Sequence, residues 1–321
     1  LIYIVLLVLA VILLAIVAVS FYFYRIAIAR TDKSFLAGNP DLRTDGPSPA
    51  SQAREWLDTR PLERVSLRSD DGLQLNGYYL AASPSSGKTV ILVHGYSGHA
   101  LQNAAFAKFY HEQLGFHVLM PDNRGHGASE GNVIGFGWLD RKDLLRWIEY
   151  VLARSGPASE LVLHGVSMGG AAVLMTSGEK LPPQVKAIVS DCAYTSVRDQ
   201  LAYQLKRIYH LPSFPLLAST SLLTRVLAGY SFGEASAVNQ VRQTKTPILF
   251  IHGTADTFVP FAMAQSLYDH CPGEKELFIV PGAGHGMAYR TDTAGYQLAV
   301  RQFVAKHTAP ALEDAYAFST S

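Results

Sequence analysis

The sequence predicts an α/β fold: a mostly parallel central sheet flanked by helices, with a helical cap insertion and an N-terminal transmembrane helix. Three observations carry this reading. Short apolar runs alternate with longer helical segments from Thr89 onward. A long helical excursion, Ala193 to Val241, interrupts that alternation. An uncharged apolar stretch, Leu1 to Tyr24, stands at the start. At 321 residues, 49% of them apolar and 17% charged, the chain can build one large domain with accessories or two small ones.

Leu1 to Tyr24 consists almost wholly of Leu, Ile, Val, Ala and aromatics. As a helix it runs about 36 Å, enough to cross a bilayer. A buried core helix is the poorer reading, because no polar face appears and the remaining sequence already makes a complete fold. A cleaved signal has a shorter apolar region, about 7 to 15 residues, although Ala27-Ile28-Ala29 offers a small-residue pattern that a peptidase could use. Phe21 to Tyr24 suit an interfacial aromatic belt. Arg25, Arg30 and Lys33 follow, so the positive-inside tendency favours a cytoplasmic globular domain on a single-pass anchor in the cell membrane, with the side left open.

Residues 25–61 read as a linker with one short helix: Gly38, Pro40, Gly46, Pro47, Pro49 and Pro61 punctuate it, and apolar residues are few outside Trp56-Leu57. The globular domain is assigned to residues 62–321. It opens with two alternating runs, Glu63 to Arg68 and Leu73 to Leu80, around the turn Asp70-Asp71-Gly72, which predicts a β-hairpin. Further strands are expected at Thr89 to Val93, His117 to Met120, Leu161 to His164, Val185 to Ser190, Ile248 to Ile251 and Leu277 to Val280. Helices are expected at Leu101 to Gln113, Leu139 to Ala153, Gly169 to Ser177, Phe261 to His270 and Asp292 to Ala305. In the excursion, residues 193–241, Pro212 and Pro215 break the helical pattern, and the segment is read as a cap.

A net charge of +1 without blocks of like charge gives no polyanion-binding face, so nucleic acid is not an expected partner. Cys192 and Cys271 are too few for a disulfide framework and lack zinc-site spacing; both read as unpaired packing thiols.

Chemistry concentrates at strand ends. Gly165-Val166-Ser167-Met168-Gly169 follows the strand Leu161-Val162-Leu163-His164 and precedes the small residues Gly170-Ala171-Ala172. A strained turn there lifts Ser167 out of the sheet, a side chain at 165 or 169 would strike neighbouring backbone, and the helix beyond supplies N–H groups. A serine hydroxyl needs a base. His285, in Pro281-Gly282-Ala283-Gly284-His285-Gly286 after the last strand, sits on a loop able to deliver one. Of the other histidines, His94, His164 and His252 end strands and read as packing or hydrogen-bonding groups near the site, whereas His111, His210, His270 and His307 lie on helix faces or loops. The orienting acid is assigned to Asp256, in the turn after Ile248-Leu249-Phe250-Ile251, with Asp191 its rival. The backbone N–H groups of Met168 and of Tyr96, in His94-Gly95-Tyr96-Ser97-Gly98, are the expected donors to an oxyanion. Asp122-Asn123-Arg124-Gly125-His126-Gly127-Ala128-Ser129 is expected to brace these loops through Arg124. In the cap, Tyr194, Tyr203, Tyr209, Phe214, Tyr230 and Phe232 are divided between cap core and pocket lining.

From Leu62 to Lys306 these motifs resemble the α/β-hydrolase superfamily. The anchor, the Asp122 to Gly127 run and the cap segments Asp199 to Tyr203 and Leu211 to Leu217 are similar to bacterial membrane-anchored hydrolases of serine aminopeptidase-like (S33-like) or esterase-like type. The resemblance implies the chain order Ser167, Asp256, His285, no metal or organic cofactor, and hydrolysis through an acyl-enzyme. Small lipidic or aromatic acyl esters are the expected substrates. A peptidase is the alternative, for which Asp199 and Glu234 alone could supply an amine-binding acid, and an acyltransferase or thioesterase stands further off. A noncatalytic binding protein of this fold would be expected to have lost its triad residues, and here all three are present. Oligomeric state is not legible.

Overall fold

The computed structural model describes residues 1–33, 39, 42, 49–84 and 86–309. In chain order it contains α1 (Ile2–Phe23), which continues as a π-helical turn (Tyr24–Ile28), α2 (Pro49–Asp58), β1 (Glu63–Arg68), β2 (Gln74–Leu80) and β3 (Lys88–Val93). A segment of mixed helical pitch follows, with α3 (Ala104–Lys108) at its centre, then β4 (His117–Pro121), α4 (Asp140–Ser155), β5 (Glu160–Val166), α5 (Met168–Ser177) and β6 (Val185–Asp191). The cap comprises α6 (Val197–Tyr209), α7 (Leu216–Ala228) and α8 (Ala237–Val241). The chain then forms β7 (Ile248–Gly253), α9 (Phe261–His270), β8 (Lys275–Val280), α10 (Ala288–Thr291) and α11 (Thr293–His307).

The eight strands form one sheet in the order β1-β2-β4-β3-β5-β6-β7-β8. The hairpin β1–β2 is antiparallel and joins β4 antiparallel, while β4, β3, β5, β6, β7 and β8 run parallel. Strands buried on both faces show the two-residue period directly. Ile91 and Val93 of β3, Leu161 and Leu163 of β5 and Phe250 of β7 join one core with residues of α4, α5 and α9. Their neighbours Val90, Leu92, Val162, Leu249 and Ile251 join the other, with α2, α3 and α11.

Two expectations about the N-terminal region change. The segment read as a linker is docked at both of its described ends. Ile28 is fully buried, Ala29 pairs with Val133, and Arg30 donates to the carbonyls of Gly127 and Ser129. At the other end, α2 buries Ala53, Trp56 and Leu57 in the second core, and the Trp56 indole donates to Glu112. Glycine and proline content suggested a tether, but Trp56 and Leu57 on one face of α2 dock that described part of the segment. Gly38, Pro40, Gly46 and Pro47 lie outside the described residues, as do residues 310–321. The second change concerns Ala27-Ile28-Ala29, which lies inside this docked segment rather than in an open chain.

Among the described residues one helix, running through Ile28, is long and apolar enough to cross a membrane. It leans on the cap at its C-terminal end. Ser20 Oγ is 2.7 Å from Ser219 Oγ of α7, and the Phe23 ring meets Tyr209 of α6 edge-on at 5.1 Å.

Candidate active site

Ser167 occupies the turn between β5 and α5 with φ 57° and ψ −116°, a backbone conformation that costs an ordinary residue on the order of 1–3 kcal/mol. The flanking glycines make it possible. A Cβ at Gly165 would lie 2.1 Å from the carbonyl oxygen of Gly169, and one at Gly169 would lie 2.1 Å from that of Val93. The loop after β3 closes in from the side, where a Cβ at Gly95 would come within 3.5 Å of Ser167 Cβ.

The structure brings the three predicted residues together. His285 Nε2 lies 2.8 Å from Ser167 Oγ, and His285 Nδ1 lies 2.8 Å from Asp256 Oδ2. Because a carboxylate only accepts, the imidazole proton sits on Nδ1, which leaves the Nε2 lone pair facing the serine hydroxyl. Asp256 is itself fixed: its Oδ1 accepts the N–H groups of Phe258 and Val259 at 2.9 and 2.8 Å. Burial works to raise its carboxyl, but hydrogen bonds from His252 and His285 overcome this and hold it well below the usual carboxylate range. The Phe258 ring stands 4.9 Å from the imidazole.

His252 is a residue whose specific role the sequence did not disclose beyond its place at a strand end. Its Nε2 lies 2.8 Å from the Val259 carbonyl and 3.3 Å from Asp256 Oδ2, so one N–H is shared between two acceptors and braces the acid from behind. Asp191, the rival acid, does not reach the imidazole. It accepts the Tyr296 hydroxyl at 3.1 Å, and burial pushes its carboxyl up to about 6. His164 lies between the hydroxyls of Tyr110 and Tyr296, and burial brings it down to about 3. His94 accepts the Asn123 N–H at Nε2, its Nδ1 faces the Gly95 carbonyl, and burial lowers it to about 3. His164 and His94 are therefore neutral, and Asp191 is a structural group. Cys192 and Cys271 are both free and buried.

Met168 is the first residue of α5, so its N–H has no acceptor within the helix, and Tyr96 lines the same pocket as Ser167 and Met168. Arg124 does brace, but not the catalytic loops expected: its guanidinium bonds both Asp143 oxygens at 2.6 and 2.7 Å and Asp71 at 2.8 Å, joining the β1–β2 turn to α4. Asp122 accepts the N–H groups of Ala100 and Ala128, and a Cβ at Gly127 would lie 2.2 Å from its carboxyl carbon.

Beside Ser167 lies a pocket of about 960 Å³, counting its open mouth. Of the six cap aromatics, Tyr194, Tyr209 and Phe232 line it. The others serve elsewhere: Tyr230 donates to the Ile134 carbonyl, Tyr203 to that of Thr257, and Phe214 faces outward. One wall of the pocket, formed by Phe23, Ile26 and Ala27 at the end of the apolar N-terminal helix, was not legible from the sequence.

Residues 84–225 and 211–292 match the family described as serine aminopeptidase, S33. The chain belongs to that family. Among relatives of this S33 member, YqkD of Bacillus subtilis is 28% identical over 233 residues, covering 73% of this chain and 76% of its own. The membrane protein YNL320W of Saccharomyces cerevisiae is 26% identical over 265 residues, covering 80% and 86%. Among solved structures, the esterase Pf2001 of Pyrococcus furiosus superposes with a TM-score of 0.63 at 21% identity, over 83% of this chain and 99% of that one. An acylaminoacyl peptidase of Pyrococcus horikoshii gives 0.59 at 18% identity, over 80% and 44%. These likenesses establish the α/β-hydrolase fold for this S33 chain.

Proposed function

We propose that this S33 hydrolase cleaves carboxylic esters of small lipidic or aromatic acyl groups, while tethered to a membrane by α1. The observation that carries the ester reading is the pocket beside Ser167, which the described residues line with apolar and uncharged polar side chains and with no carboxylate or cation among them. An aminopeptidase must receive a charged amine, and burying that charge without an acid costs several kcal/mol. Asp199 is occupied by the Thr195 hydroxyl at 2.7 Å, and Glu234 caps the Ser231 N–H at the surface. The apolar α1 and the yeast relative's description as a membrane protein support the tether.

In this mechanism Ser167 Oγ attacks the acyl carbonyl as its proton passes to His285 Nε2, and Asp256 stabilises the resulting imidazolium. The N–H groups of Tyr96 and Met168 hold the oxyanion. The imidazolium then protonates the leaving alkoxide, and an acyl-enzyme remains on Ser167. Water deprotonated by the same imidazole attacks that acyl group, and the carboxylic acid departs as Ser167 regains its proton.

The test is turnover of p-nitrophenyl esters of increasing acyl length, with an aminoacyl p-nitroanilide alongside, by the full chain in detergent. Ester hydrolysis that falls about 10⁴-fold or more in Ser167→Ala is expected. Preference for the anilide would instead favour the peptidase reading, and no turnover of either would count against both.

A further inference from the structure

The cap helix α7 turns apolar side chains both ways: Leu217, Leu223 and Ala228 pack against the core, and others face out. It buries Thr220 and Thr224 against the protein and exposes Leu222 and Val226, at 65% and 74% of their full surface. Water selects the opposite arrangement on a surface helix. The elbow joining α6 to α7 also exposes Leu211 and Phe214, the latter at 79% of its full surface. Arg225 is the one charge in α7. Contiguous exposed apolar surface of this kind marks a contact with something apolar.

The position of α7 says what that is. It packs against the C-terminal end of α1, where Ser219 meets Ser20, next to the exposed Phe21 and Tyr22 of the interfacial belt. The pocket beside Ser167 lies within this corner: Phe23 and Ile26 wall it from the α1 side, Leu216 and Thr220 from α7, and Ile208 from α6. Ile208 is also 40% exposed, so it stands where the cavity meets the apolar surface.

We propose that the outer face of α7 and the α6–α7 elbow rest in the same bilayer that α1 enters, and that the pocket fills sideways from it with the acyl chain of a membrane lipid ester. This rests on the hydrolase and tether readings above and narrows the substrate class to esters resident in the membrane. The apolar contact continues the α1 span, and Phe23 and Ile26 serve both anchor and pocket.

The full chain is reconstituted in dioleoylphosphatidylcholine vesicles containing dioleoylglycerol, with a nitrobenzoxadiazole label at Leu222→Cys or, for comparison, at the exposed Leu298→Cys on α11. Nitroxide placed on the lipid acyl chains should quench the label at 222 at least fivefold more than that at 298; equal quenching overturns the proposal. In parallel, Leu222→Asp/Val226→Asp should lower dioleoylglycerol hydrolysis at least tenfold while p-nitrophenyl butyrate hydrolysis stays within twofold. Equal retention of both activities overturns lateral entry. Wild-type protein that cleaves the soluble ester but never the vesicle ester overturns it as well. Quenching at 222 in a protein that turns over neither ester would uphold the membrane contact and defeat the hydrolase reading, so the two failures are separable.

Discussion

The Tyr96 hydroxyl donates a 2.6 Å hydrogen bond to the carbonyl oxygen of Ala27. One partner belongs to the loop expected to stabilise the oxyanion, and the other to the last turn of the apolar N-terminal helix. The helix end supplies a free acceptor because its final carbonyls lack intrahelical partners. Lys33 exploits the same feature, donating to the carbonyls of Ile26 and Ala29 at 2.7 and 2.8 Å, and burial lowers its ammonium to about 8.

Tyr96→Phe removes this link and leaves the backbone N–H in place. A neutral hydrogen bond of this kind contributes about 1 kcal/mol, so kcat/KM toward esters is expected to fall about fivefold, with protein stability reduced by a similar energy. Steady-state kinetics and thermal unfolding of the same preparation check it.

Asp256→Asn keeps the shape but offers His285 Nδ1 an amide that can donate as well as accept. The imidazole is then free to take the wrong tautomer, and kcat is expected to fall about 10⁴-fold. Asp191→Asn, which does not touch His285, should cost less than about tenfold. Comparable losses in the two variants would move the orienting role away from Asp256.

Much of this site was legible because each group is announced by a strand end. Gly165 to Gly169, Asp256 and His285 all follow apolar runs that the sheet places side by side, so local pattern plus parallel topology was enough. The wall formed by Phe23, Ile26 and Ala27 was not legible, because their apolarity is fully accounted for by membrane crossing and no period distinguishes a helix end that also packs on a cap. The docking of Ile28 and α2 was missed for a related reason. Composition averages over a segment, whereas Trp56 and Leu57 act through one buried face.

Gly169→Ala tests the close approach at the elbow. Its Cβ would be driven against the Val93 and His94 carbonyls, which are backbone and cannot swing away. A loss of several kcal/mol of stability, or failure to accumulate folded protein, is expected. A folded, fully active variant would show that the turn has more room than the structure gives it.

Asp191 carries a pH signature. Burial raises its carboxyl from 3.8 to about 6, so between those values the folded protein holds a proton that the unfolded chain has released. Stability contributed by this group is therefore present at low pH and lost as pH rises through about 6, to the extent of ~3 kcal/mol. Asp191→Asn does not titrate. Its stability relative to wild type should improve between pH 4 and pH 7, as read by thermal unfolding at both values; a constant difference would contradict the assignment.

If Ser167 is the nucleophile activated by His285, it alone should react with an electrophile that mimics the acyl carbonyl. Intact-mass and peptide mapping of the full chain after reaction with a fluorophosphonate measures this directly. One adduct per chain is expected, carried on the peptide containing Ser167, absent in Ser167→Ala and formed far more slowly in His285→Ala. A folded wild-type protein that takes up no adduct, or one labelled elsewhere with Ser167 unmodified, would contradict it.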